Sequence, residues 1–323
     1  MTEFLRLQKK GEDLSRFILS WLILLAAAPC FAAVPITPLP LAPDYHIEQA
    51  QLGKQLFFDP LLSKDQTLSC ASCHDPGQGG ADGRSLSVGV GGKLGGANAP
   101  TVFNSSLNFV QFWNGRARTL EEQALGPIQN PVEMNLEIPE LLARLAQHPK
   151  YPGEFAKAFG PGPITAKRVA QALAEFEKAL ITPNSRFDRF LRGQLELTEA
   201  EQKGYTLFKN LGCISCHNGQ LVGGNSFQKV GVVNPYPRHG TEPDRHQVTG
   251  RQSDLNRYKV PSLRMAASTA PYFHDGNTQT LEEAIVAMGY YNLGVNLKES
   301  EVALLVHFIR SLEGQNPTIL EAP

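Results

Sequence analysis

Two pentapeptides carry the most specific chemistry of the chain: Cys70-Ala-Ser-Cys73-His74 and Cys213-Ile-Ser-Cys216-His217. The spacing C-x-x-C-H is the attachment signal of a c-type haem, whose vinyl groups take the two thiols as thioethers while the next histidine ligates the iron. The two motifs use every cysteine except Cys30. Zinc or dithiol redox chemistry is the alternative for a C-x-x-C pair, but zinc does not account for a histidine directly after each second cysteine. Two covalently bound haems c are therefore expected, held by His74 and His217, and no thiol is left for a disulfide framework.

The neighbourhoods of the motifs recur as well. Ala99-Pro-Thr-Val-Phe103 is echoed by Val260-Pro-Ser-Leu263, and FWNGRARTLEE (112–122) by FHDGNTQTLEE (273–283). The offset is 161 residues in these segments and 143 between the haem motifs, so the second copy has 18 extra residues after its motif. Such self-similarity indicates duplication of a structural unit.

Comparing the copies separates the two irons. Thr119 with Glu122, and Thr280 with Glu283, read as capping boxes that open a helix. In the second copy Leu281, Ala284, Ile285 and Met288 fall on one helical face. Met288 is thus the candidate distal ligand of the second iron, a His/Met pairing that raises the potential. Ordinary core packing is the alternative. In the first copy Gln123 and Pro127 stand where the second has Ala284 and Met288, and Asn130-Pro-Val-Glu133-Met134 follows. An open iron near an amide and a carboxylate is a reaction site rather than an electron wire. Met134 could close that iron instead, and Glu133 could be a plain surface carboxylate. Trp113 aligns with His274 and serves either as packing or as a relay between the redox centres.

Helical periodicity over residues 48–57 and 198–210 places a helix ahead of each haem motif. Residues 163–191 read as a long amphipathic helix interrupted near Pro183, and 193–197 as a linker. Strand signals are sparse. The expected fold is mostly α: two cytochrome-c-like haem domains related by internal duplication, with long loops, over residues 34–190 and 191–323. Residues 1–33 read as a signal peptide, with Arg6, Lys9, Lys10 and Arg16 ahead of an apolar run at 17–28 and small residues before a cleavage site after Ala32 or Ala33. That run is too short for a membrane span of ~20 residues. Acylation of Cys30 is the alternative, but Pro29 is the wrong neighbour for it. The formal net charge is −1, without a basic run, which argues against a nucleic-acid surface. An exported, periplasmic protein without stable membrane insertion is expected.

The segments FWNGRARTLEEQALGPIQNPVEM and APYFHDGNTQTLEEAIVAMG, each downstream of a C-x-x-C-H, resemble the bacterial di-haem cytochrome c peroxidases. The resemblance runs over nearly all of the chain beyond the leader. It implies a low-potential, peroxidatic first haem and a high-potential second haem that receives electrons. It further implies Glu133 as catalytic acid–base, Gln123 as the pocket amide assisting it, Trp113 between the haems, and Met288 as distal ligand. A calcium ion between the domains would be held by the Asn98 side chain and the carbonyls of Thr269 and Pro271, oxygen donors suited to a hard cation. The implied activity is reduction of hydrogen peroxide to water with electrons from a small soluble cytochrome c or cupredoxin, with a second copy of the chain as a further candidate partner. Relatives that oxidise a partner protein, such as the maturase of methylamine dehydrogenase, offer a second reading, although that maturase has a tyrosine in place of Met288. A non-catalytic di-haem electron carrier is a third, and it would need both irons six-coordinate.

One position departs from the family. The histidine that usually closes the resting first iron, and is released once the second haem is reduced, corresponds to Val90 in Ser87-Val-Gly-Val-Gly-Gly92. No histidine occurs between His74 and His148, and valine cannot coordinate iron. Nine glycines between Gly77 and Gly96 predict a mobile loop here.

Overall fold

Helices, several of them with locally encoded starts, are the main regular structure of the chain. The computed structural model describes residues 35–237 and 243–321, and the expected signal peptide lies outside them. Helix α1 (Ile47–Phe57) precedes the first haem motif. It is followed by α2 (Leu120–Gln129), α3 (Ile138–Gln147), α4 (Tyr151–Phe159) and α5 (Ala166–Ala179). Helix α6 (Arg186–Leu191) leads into the second half, with α7 (Glu199–Asn210), α8 (Arg245–Thr249), α9 (Leu281–Met288) and α10 (Glu299–Arg310). Strands β1 (Phe227–Lys229) and β2 (Arg257–Lys259) pair antiparallel, the one sheet among the described residues.

The helix starts use side-chain caps. Thr119, Thr165, Ser185, Thr198 and Thr280 each accept a hydrogen bond from a backbone N–H in the first turn of their helix. At Thr280 the reciprocal bond from Glu283 closes a full capping box. At Thr119 the Glu122 carboxylate instead accepts from the Arg118 N–H at 2.7 Å. The helix expected over 163–191 is two helices, α5 and α6. Pro183 has no N–H to donate to a helix, and the preceding Thr182 is held from outside the helix: Asn104 Oδ1 accepts from its N–H and Asn104 Nδ2 donates to its Oγ1.

In both halves the helix ahead of the haem motif crosses the half's closing helix at a glycine. A Cβ on Gly53 of α1 would lie 1.9 Å from Ala172 O of α5, and one on Gly204 of α7 would lie 2.0 Å from Leu304 O of α10. Leu52, Leu56, Phe57, Leu173 and Phe176 fill the first core, and Tyr205, Phe208, Val302, Leu305 and Phe308 the second. The two ends of the described residues exchange halves: Ile36 packs in the second core and Ile319 in the first.

The duplication is visible where the halves meet. The Asn98 N–H donates to His274 O at 2.9 Å, and the Lys259 N–H donates to Trp113 O at 2.7 Å. Each donor and each acceptor is 161 residues from its counterpart, so the joint is a pseudo-two-fold built from matching positions of the two copies.

Candidate functional site: two haem cradles and a distal carboxylate

Both attachment motifs sit on single 3₁₀ turns, Cys70–Ser72 and Cys213–Ser215. The N–H of each following histidine donates to the first cysteine's carbonyl, His74 to Cys70 and His217 to Cys213, both at 3.0 Å. One tight turn therefore gathers two thiols and an imidazole. Burial lowers the pKa of both histidines, His217 to about 4, which keeps the rings in the neutral form that ligates a metal. His217 Nδ1 lies 3.3 Å from Val222 O. His74 Nδ1 is buried without a hydrogen bond of good geometry, the carbonyls of Gly80 and Pro100 being nearby.

The buried thiols are compatible with thioether attachment. Burial pushes Cys70 up to about 12 and Cys213 up to about 11. Zinc binding and dithiol exchange both need a stabilised thiolate, whereas a thioether carries no charge. Among the described residues no group of three or more His, Cys, Asp or Glu could hold a metal ion by itself. Buried neutral imidazoles beside uncharged sulfurs fit haem c.

The distal carboxylate stands at the end of α2. A cavity of about 310 Å³ is lined by Phe112, Arg116, Gly126, Pro127, Asn130 and Glu133, among others. Asn130 Nδ2 donates to Glu133 Oε1 at 2.7 Å. Burial raises the Glu133 pKa, while the Arg116 charge and the Asn130 hydrogen bond pull it back. The negative charge of Glu133 also acts on Cys73, which ties this carboxylate to the first attachment motif. Gln123 lies one to two turns earlier on α2, half-buried, and does not line the cavity. Met134 is buried in the first core with Ile128 and Leu136.

The glycine-rich loop, expected to be mobile, is folded onto the turn that carries Glu133. Gly89 N–H donates to Lys93 O at 2.7 Å, and Val90 N–H donates to Glu133 O at 2.8 Å. Lys93 Nζ reaches Pro131 O at 3.0 Å. A Cβ at Gly89 would fall 2.1 Å from Val132 O, so only glycine permits this approach. The contact joins segments distant in sequence, and loop composition alone does not reveal it.

Trp113 occupies the joint. Its Nε1 donates to Asn98 O at 3.0 Å, and its ring meets the His274 ring edge-on at 6.3 Å. His274 in turn stacks on Tyr258 at 4.0 Å. Asn98 is buried, and its Nδ2 donates to Arg84 O at 2.8 Å. Thr269 and Pro271 lie in the segment leading to His274, whose carbonyl accepts from the Asn98 N–H. Met288 is the half-buried last residue of α9, whose Leu281, Ala284 and Ile285 face the core. A π-helical turn, Gly289–Leu293, follows it directly, a distortion frequent at functional sites.

Two family models match the chain: di-haem cytochrome c peroxidase over residues 47–196 and cytochrome c over residues 201–313. A cytochrome c551 peroxidase of Nitrosomonas europaea is 44% identical over 96% of this chain and 93% of that protein. The chain belongs to the di-haem cytochrome c peroxidase family. The cytochrome c peroxidase Ccp of Escherichia coli is 43% identical over 89% of the chain, which spans 63% of that longer protein. Among solved structures, a MauG-like protein associated with microbial copper homeostasis matches with a TM-score of 0.74 and 30% identity, covering 89% of this chain and 95% of that one. The mostly helical, di-haem expectation from the sequence is thus met, and haem c is the cofactor of this family. No helix among the described residues is long and apolar enough to cross a membrane.

Sequence reasoning passed over several residues. Asn130 was visible three positions before Glu133, the separation at which a turn brings an amide onto a carboxylate. Glu177, Asp188 and Arg264 gave no local signal, because their burial depends on contacts distant in sequence.

Proposed function

We propose that this chain is an exported, periplasmic di-haem peroxidase that reduces hydrogen peroxide to water with electrons from a small cytochrome c or cupredoxin. The observation carrying the reading is the half-buried Glu133 carboxyl, beside a cavity and within electrostatic reach of the first attachment motif. Haem, when bound through Cys70, Cys73 and His74, supplies the iron that takes peroxide and the electrons for O–O cleavage. Glu133 would accept a proton from one peroxide oxygen and return it to the other, which leaves as water. Asn130 holds Oε1 in place; Gln123, on α2 and outside the cavity lining, is the assisting amide that the family resemblance implies. With two electrons and two further protons the peroxide becomes two waters. Cys213, Cys216, His217 and Met288 would hold the second haem, which would supply the electrons, and Trp113 stands at the joint between the halves. Calcium held by Asn98, Thr269 and Pro271 would brace that joint, and the domain boundary falls near residue 190.

Steady-state peroxide turnover with a reduced small cytochrome tests the activity. Glu133→Gln should keep both haems yet lose ~10²–10⁴-fold in turnover, the usual worth of general acid–base help. Near-normal turnover in a fully loaded variant removes Glu133 from the reaction. Val90 also suits an oxidase acting on a partner protein, since it leaves the first iron without a locking side chain. Met288 counts against that reading, and absence of turnover with small reduced donors would favour it.

A further inference from the structure

Among the described residues Arg264 is the largest side chain that is almost wholly buried, at 1% exposure. Its Nη2 lies 2.8 Å from Asp188 Oδ1, with both side chains at 0% exposure. A buried ion pair is a poor way to gain stability, because desolvation offsets much of the attraction and an apolar pair of similar size often does as well. This fold contains the apolar solution: the repeat counterpart of Arg264, 161 positions earlier, is the buried Phe103. The pair in the second half therefore calls for an explanation other than stability.

The hydrogen bonds supply one. Arg264 Nε donates to Gln220 O at 2.6 Å, and Ser262 Oγ donates to Leu221 O at 2.9 Å. Leu263 N–H donates to Val222 O at 3.3 Å. Three consecutive carbonyls of the loop after the second haem motif are thus held by three consecutive residues. The last of these carbonyls lies 3.3 Å from His217 Nδ1, with the Pro261 carbonyl also close to the ring. From the other side the segment of Pro35 to Leu39 straps the same loop. Gly219 N–H donates to Pro35 O, Gln220 Nε2 to Pro38 O, and Leu39 N–H to Asp188 Oδ1. Arg264 Nη2 reaches Thr37 O at 3.2 Å, and Arg192 Nη2 donates to Leu39 O. In the first half Phe103 stands at the position of Arg264, and among the described residues His74 Nδ1 lacks a hydrogen bond of good geometry.

We propose that Arg264, fixed by Asp188 and the strap of residues 35–39, is a positioning residue that locks the Val222 carbonyl onto His217 and so sets the potential of the second haem. The proposal rests on His217 being the proximal ligand. The hydrogen bond from Nδ1 makes an imidazole a stronger donor to iron, which favours the ferric state. Loosening the carbonyl should therefore raise the potential.

The test is the paired variant Arg264→Met with Asp188→Leu, which removes one charge of each sign and leaves the net charge unchanged. The holoprotein is titrated potentiometrically, with the first haem as internal control. The expected result is an upward shift in the midpoint potential of the His217 haem and none in the His74 haem. An unchanged second potential, with only a lower thermal midpoint, overturns the proposal. Should the pair fail to fold, Ser262→Ala removes one of the three loop contacts and should shift the same potential upward by less. No shift there overturns it equally. A haem count below two in the parent protein would instead refute the assignment of His217.

Discussion

Glu133 has two neighbours that oppose its burial, and they set how it responds to pH. Burial raises its pKa above the ordinary carboxylate range, while Arg116 and Asn130 favour the ionised form. A base must be ionised to accept the peroxide proton, so turnover should fall as pH drops through this raised pKa, on an acid limb above the usual carboxylate range. Arg116→Gln removes the opposing positive charge and should move that limb to higher pH in a profile of kcat/KM. A limb that stays put or moves down would separate Arg116 from the site. The neighbouring amide acts by geometry: Asn130→Ala frees Oε1, and activity should fall without haem loss.

Helix α5 carries a second buried carboxylate, with a consequence for folding rather than for chemistry. Glu177 is pushed up to about 7, chiefly by burial, with Glu121 adding to the rise and the Ser105 hydroxyl opposing it. In the unfolded chain the group ionises at its ordinary pKa, so between pH ~4.5 and ~7 the folded state holds a proton that the unfolded state has lost. Stability should therefore decline as pH rises through that window and then level off, by at most ~3 kcal/mol from this group. Glu177→Gln should flatten that part of a denaturant-midpoint profile; an unaltered slope would show that the group does not titrate there. At this scale the sequence was informative about starts and breaks, because caps at Thr119 and Thr280 and the stop at Pro183 are local chemistry. It was uninformative about Glu177, which a helical pattern alone puts next to Lys178 and not beneath Ser105. The same limit hid the contact between Val90 and Glu133. The C-x-x-C-H motifs escaped it, since attachment needs residues that are adjacent in the chain.

Across the whole molecule the pseudo-two-fold joint puts two near-copies to different uses, and the differences lie at matching positions. Trp113 answers His274, Pro127 answers Met288, and Phe103 answers Arg264. The second half therefore has a candidate sixth ligand and a braced proximal loop. In the first half the distal loop rests on the Glu133 turn through a valine amide. In relatives with a histidine at that loop position, the first iron opens only after an electron reaches the second. Val90 offers no ligating atom, so on the proposed reading electron arrival and peroxide access should be uncoupled in this chain. The fully oxidised protein should already contain a high-spin or water-bound first haem, and its Soret band should change at once on mixing with peroxide. Met134, the competing ligand, is packed with Ile128 and Leu136 in the first core, so taking the iron would cost that packing. Val90→His should restore the coupling: the oxidised variant should become low-spin and inert, then respond to peroxide after one electron is added. An oxidised parent protein that is wholly low-spin and silent until half-reduced would mean that another group does the work of the missing histidine.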